Sequence, residues 1–153
     1  MSIADMRVCA TDDPARYERM IYEVERDWCW ACGRGHEEKH RPRGWAGPWL
    51  IERAHIIRAM RIRSRFLVVL LCTICHKVQH GERLIIDGKR WPLPKLEISH
   101  LLWLKLHRDP AFYRREYILR VSKRKYLPMA SRPPKAYLDE YASRHPAAVS
   151  NHA

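Results

Sequence analysis

The stretch Leu71-Cys72-Thr73-Ile74-Cys75-His76-Lys77-Val78-Gln79-His80 decides how this chain is read. It works with Cys29-Trp30-Ala31-Cys32 upstream and with Ile51-Glu52-Arg53-Ala54-His55-Ile56-Ile57 between the two. Each Cys-x-x-Cys pair places two thiolates on one side of a tight turn, and two pairs supply the four soft ligands of a tetrahedral structural zinc. Gly33, directly after the first pair, suits a knuckle turn that needs positive φ. Disulfides are the competing use, but they need an oxidising compartment, and nothing in the chain suggests secretion. A redox dithiol calls for one such pair beside a βαβ pattern. Zinc on Cys29, Cys32, Cys72 and Cys75 is the expectation, and Cys9 has no partner in it.

His55 lies among apolar, β-prone residues, which predicts a strand. Phe66 to Leu71 is an unbroken apolar run, short enough for a second, buried strand. A helix is predicted from His76, and His80 follows at i+4. That spacing puts both imidazoles on one helical face, where they can share a metal ion. Cys75 and His76, as neighbours, point apart, so the cysteine can serve the zinc while the histidine faces a cleft. Glu52 shares a strand face with Ala54 and is read as a solvated charge. A lone histidine in an apolar strand is ordinarily structural; with His76 and His80 at these spacings, a catalytic reading of His55 is preferred.

The combination of Cys29/Cys32, Ala54-His55-Ile56 and Leu71–His76 ending in His80 resembles the HNH endonucleases, over Cys29 to about Gly81. The resemblance implies an α+β fold, a zinc-stapled ββα-metal (His-Me finger) core, and hydrolysis of DNA phosphodiester bonds as a nick or a double-strand cut. His55 falls where that family has its general base. His76 and His80 fall where it holds one catalytic divalent ion (Mg²⁺, Mn²⁺, Ni²⁺ or Zn²⁺), and the cysteines match its separate structural zinc. An imidazole suits proton abstraction at neutral pH. The chain departs from the pattern twice. The family's central asparagine position is Leu67, the only asparagine being Asn151, and the frequent Asp or His before the base is Ala54. The alternative is therefore a non-catalytic, zinc-stabilised nucleic-acid-binding module that has lost the chemistry. A protein-interaction zinc domain is a third possibility.

The formal charge is +12, and arginine is dense between Arg34 and Arg65, which favours a polyanionic partner, most simply duplex DNA. Arg53, Arg58, Arg61, Arg63, Arg65 and Lys77 flank the histidines and are the expected nucleic-acid contacts, with Arg41 and Arg43 of the polar 36–48 loop as further phosphate contacts. His36 and His40 of that loop are read as solvated.

Four segments are expected. Residues 1–28 carry a helix after Asp12-Asp13-Pro14, and 29–92 form the core. Residues 93–121 are a helical extension, with helices over 95–107 and 111–121. Residues 122–153 are a basic, partly disordered tail with one docking turn at Tyr137, Leu138 and Tyr141. The Asp87-Gly88 pair predicts a hairpin from Leu84 to Trp91. Leu101–Leu104 through Asp109-Pro110 loosely resembles tails of phage-encoded HNH proteins. The first residues, mixed and acidic, do not resemble a signal peptide, and no apolar run reaches membrane-spanning length. The cytoplasm of a bacterial or phage-infected cell is expected, and monomer and homodimer both remain open.

Overall fold

β1, Ile51–His55, and β2, Val68–Cys72, pair antiparallel, with Ile51 opposite Cys72 and His55 opposite Val68. The structure is a computed structural model, and it describes residues 28–57, 68–109, 113, 115, 119 and 125–144. Helix α1, Thr73–Gln79, follows β2 without a loop and packs on both strands. α2, Ile98–Arg108, packs on β2. β2 is buried at every position, which is why its sequence is continuously apolar rather than alternating. The fold class is α+β: among the described residues, three helices and two small antiparallel sheets.

α1 starts at Thr73, three residues before the predicted start at His76. Cys72 is its N-cap, and the Cys72 Sγ accepts the Cys75 N–H at 3.4 Å. His80 is the C-cap, its N–H reaching the His76 carbonyl at 3.1 Å. Gln79 pins the end of the helix to the next segment. Its amide donates to Leu96 O at 2.8 Å and accepts from Leu96 N at 3.0 Å.

The predicted hairpin forms from β3, Ile85–Ile86, and β4, Lys89–Arg90. Asp87 and Gly88 at the turn have φ of 55° and 71°, as a primed turn requires. The 36–48 loop docks on this hairpin at Gly44. With φ at 84°, a Cβ there would lie 2.7 Å from the Asp87 backbone nitrogen. Arg41, expected to meet phosphates, instead holds the loop together by bonding to Glu38 and to the Trp45 and Gly47 carbonyls. His40 is half-buried, edge-on to Trp28 at 5.2 Å.

α2 begins after Glu97, not at Lys95, because Glu97 and His100 form a reciprocal capping box. The buried side of α2 is Leu101, Leu102, Leu104 and Lys105, with His100, Trp103 and His107 half-buried. Trp103 and His107 stack on each other, centroids 3.8 Å apart. Lys105 is fully buried; its Nζ bonds to Val68 O at 3.0 Å and Asp109 Oδ2 at 3.1 Å.

Residues 135–144, predicted as one docking turn within a loose tail, form helix α3, Lys135–Arg144, with Tyr137 and Tyr141 buried. The predicted N-terminal helix lies outside the described residues. So do most of the predicted 111–121 helix and the chain beyond Arg144. No helix among the described residues is long and apolar enough to cross a membrane.

Candidate metal centre and histidine cluster

Cys29 and Cys32 sit on a turn just before the sheet, and Cys72 and Cys75 on the junction of β2 and α1. The two turns are built alike. Cys32 N–H points at Cys29 Sγ at 3.5 Å, and Cys75 N–H at Cys72 Sγ at 3.4 Å. Gly33 has φ 77°, the conformation predicted for the knuckle, and its N–H closes the turn on Cys29 O at 2.9 Å. Trp30 N–H donates to Leu70 O at 2.9 Å, so the first knuckle hangs from β2 beside the second.

The cysteines are buried, and their sulfurs lie within 4.8 Å of one another. Tetrahedral zinc with Zn–S bonds of about 2.3 Å needs sulfurs about 3.8 Å apart. Cys32 Sγ and Cys72 Sγ are 3.8 Å apart. The cluster therefore fits a metal ion such as zinc. Burial pushes the Cys72 thiol well above its ordinary range, and hydrogen bonding with Cys29, Cys32 and Cys72 pushes Cys75 up. Cys32 goes the other way. Burial raises it, but its thiol neighbours and the Arg34 charge outweigh burial. Without an ion the cluster retains protons, and an incoming divalent cation displaces them.

Arg34 supplies a compensating positive charge. Burial opposes its ionisation, yet Cys32 and Glu140 raise its pKa. It lies 3.7 Å from Glu140 of α3 and 4.6 Å over the Trp91 ring. Tyr137 of α3 is close enough that burial, then the charges of Cys75 and its neighbours, hold its phenol neutral far above its ordinary range. α3 thus packs beside the first knuckle, with Tyr137 and Tyr141 sharing a small cavity with Trp30 and Ala31.

On α1, His76 Nε2 and His80 Nε2 face each other at 3.0 Å, as their spacing predicts. His76 Nδ1 lies 3.4 Å from Glu52 Oε1 on β1. Glu52, predicted to be a solvated charge, is a half-buried partner of His76. The carboxylate fixes the ring and, with Nδ1 protonated, leaves Nε2 as a lone-pair donor beside His80. The signal available was that Glu52 points to the face opposite Arg53, but nothing local says which helix meets that face. Ala54, on the same face, is buried and contributes no donor. Among the described residues the four cysteines are the only group of three or more His, Cys, Asp or Glu side chains close enough to share an ion. His76 and His80, with their Nε2 atoms 3.0 Å apart, are a pair among the described residues.

His55 is the last residue of β1 and exposed, on the pleat face opposite Glu52 and Ala54. Arg53 is exposed on the same strand, and Lys77 is paired with Glu82 at 3.8 Å. Arg58, Arg61, Arg63 and Arg65 lie outside the described residues. Comparison with family models, with curated proteins and with solved structures finds no match to this chain.

Proposed function

We propose that this chain is a metal-dependent nuclease of the HNH kind, hydrolysing DNA phosphodiester bonds, with a structural zinc on Cys29, Cys32, Cys72 and Cys75. The observation that carries the reading is the paired Nε2 atoms of His76 and His80, 3.0 Å apart, on a helix that starts at one cysteine pair. Two neutral imidazoles at that separation suit one divalent cation, and the Glu52 carboxylate behind His76 is the partner that metal-bound imidazoles commonly have. When bound, the ion would supply charge stabilisation for the pentavalent phosphate and the leaving oxygen. His55, exposed at the last residue of β1 on the face opposite Glu52, is the base on this reading: with the scissile phosphate lying across the strand's end, it would take the proton of the attacking water as that oxygen bonds to phosphorus and the bond to the leaving oxygen breaks. Exposed Arg53 on β1 and half-buried Lys77 on α1 are the described cations of these two elements that phosphate oxygens would meet.

Ala54 and the absence, among the described residues, of a group of three donors that includes His76 and His80 favour a second reading, a zinc-stabilised nucleic-acid binder without catalysis. Plasmid cleavage by folded, zinc-loaded protein in Mg²⁺, Mn²⁺ or Ni²⁺ separates the two. The nuclease nicks DNA, and His55→Ala or His76→Ala lowers the rate by about 10²-fold or more. Cleavage that persists in both variants contradicts the assignment. Salt-sensitive binding without cleavage establishes the second reading.

A further inference from the structure

A cleft of about 480 Å³ opens directly beyond α1. Val78 and Gly81, at the C-terminal end of α1, line one wall, on the same short helix that carries His76 and His80. Trp91 and Leu93 form an apolar side. Arg83, Arg90 and Lys95 complete the lining. These three cations are exposed and make no ion pair among the described residues.

Elsewhere the described cations are mostly engaged. Arg34, Lys39, Arg41, Arg43, Lys77, Lys105, Lys135 and Arg144 each have a carboxylate, and Arg108 and Arg115 bond to a phenol and to carbonyls. The one carboxylate lining the cleft, Glu82, is matched by Lys77 at 3.8 Å. Lys89, Lys125 and Arg132 are exposed as well, but among the described residues it is Arg83, Arg90 and Lys95 that gather around one concave, aromatic-walled space.

We infer that this cleft holds an unpaired nucleotide strand, with phosphates on Arg83, Arg90 and Lys95 and a base against Trp91. The inference rests on the proposed nuclease reading for its biological sense and adds the substrate form: DNA with a single-stranded segment, such as a flap or a frayed end, next to the scissile bond. Three features of the cleft select that occupant. Its charge selects a polyanion. Its concavity admits a base, which a stacked duplex keeps inside. An aromatic wall with cations is the usual means of holding single strands without sequence preference. Arg34, over the Trp91 ring at 4.6 Å, keeps the indole in position.

The test is fluorescence anisotropy with oligothymidylate of about 12 nucleotides, within the usual single-strand site size. A duplex of equal length is measured alongside, on zinc-loaded protein without added divalent cation, so that no strand is cut. Arg83→Ser with Arg90→Ser removes two cleft cations. Lys125→Ser with Arg132→Ser removes the same charge outside the cleft and serves as the matched control. The cleft pair should weaken oligothymidylate binding by about tenfold and flatten the log–log salt slope by about 1.4, two phosphate contacts at about 0.7 each. The control pair should change the affinity less than about threefold. Equal losses in both double variants, or duplex bound as tightly as the single strand, would overturn the cleft assignment. The nuclease reading fails separately: no metal-dependent cleavage by wild type, with this binding pattern intact, removes the enzyme and leaves the cleft.

Discussion

At 3.4 Å from His76 Nδ1, the Glu52 carboxylate acts through another residue's ring. On the proposed reading it positions a ligand. Calorimetric titration of Ni²⁺ into zinc-loaded protein should give an affinity about 10- to 100-fold weaker in Glu52→Ala, with partial recovery in Glu52→Gln, whose amide oxygen can still accept from Nδ1. Unchanged affinity in Glu52→Ala would make the contact a surface ion pair and nothing more. Lys105 poses the opposite problem, a charge with no route to water. It is paired with Asp109 at 3.1 Å and bonded to Val68 O at 3.0 Å, so its charge is balanced inside the protein. Asp109→Ala removes the carboxylate that balances this buried ammonium and should cost about 3–5 kcal/mol in denaturant unfolding. Lys105→Met with Asp109→Leu should come close to wild type, because the desolvation cost disappears with the pair. A double variant as unstable as the single one would show that packing, not charge, sets the loss.

At the scale of elements, the short pieces lean on one another. α1 has seven residues and each hairpin strand two, lengths that do not stand alone in water. The 36–48 loop is fitted to the hairpin at Gly44, where a side chain meets the Asp87 backbone at 2.7 Å and the backbone is already left-handed. Gly44→Ala should therefore destabilise by about 2 kcal/mol or more, strain and overlap together. The overlapping atoms are backbone, so a loss below about 0.5 kcal/mol would mean that the loop and hairpin are not docked in solution. α3 packs beside the first knuckle through buried Tyr137 and through Glu140 beside Arg34. Tyr137→Ala should remove about 3 kcal/mol of stability and speed zinc extraction by a chelating dye. Slower or unchanged extraction would place α3 away from the metal.

For the molecule as a whole, the cysteine cluster joins the turn at Cys29 to the strand–helix junction at Cys72, the two places from which the sheet and α1 are aimed. A two-stranded sheet has little independent stability. Stripping the ion should therefore abolish the cooperative thermal transition followed by circular dichroism, and Cys72→Ser should reproduce the effect. A transition unchanged by complete metal removal would show that the apolar core alone carries the fold.

Features that depend only on spacing along the chain are legible before any fold is known. The Cys-x-x-Cys pairs, Gly33, the i,i+4 histidines, the Asp87-Gly88 turn and the buried run of β2 are local signals, and each forms a local structure. Helix starts shifted by three residues because caps from Cys72 and Glu97 outrank apolar periodicity. Tertiary structure alone decided the rest. Glu52 meets His76 across 24 residues, and Lys105 meets the Val68 carbonyl across 37. Tyr137 shares a small cavity with Trp30 and Ala31, and Arg83, Arg90 and Lys95 share one cleft. Which polar side chain is buried, and beside whom, is set by how separate elements pack, and no periodicity in one element carries the address of its neighbour.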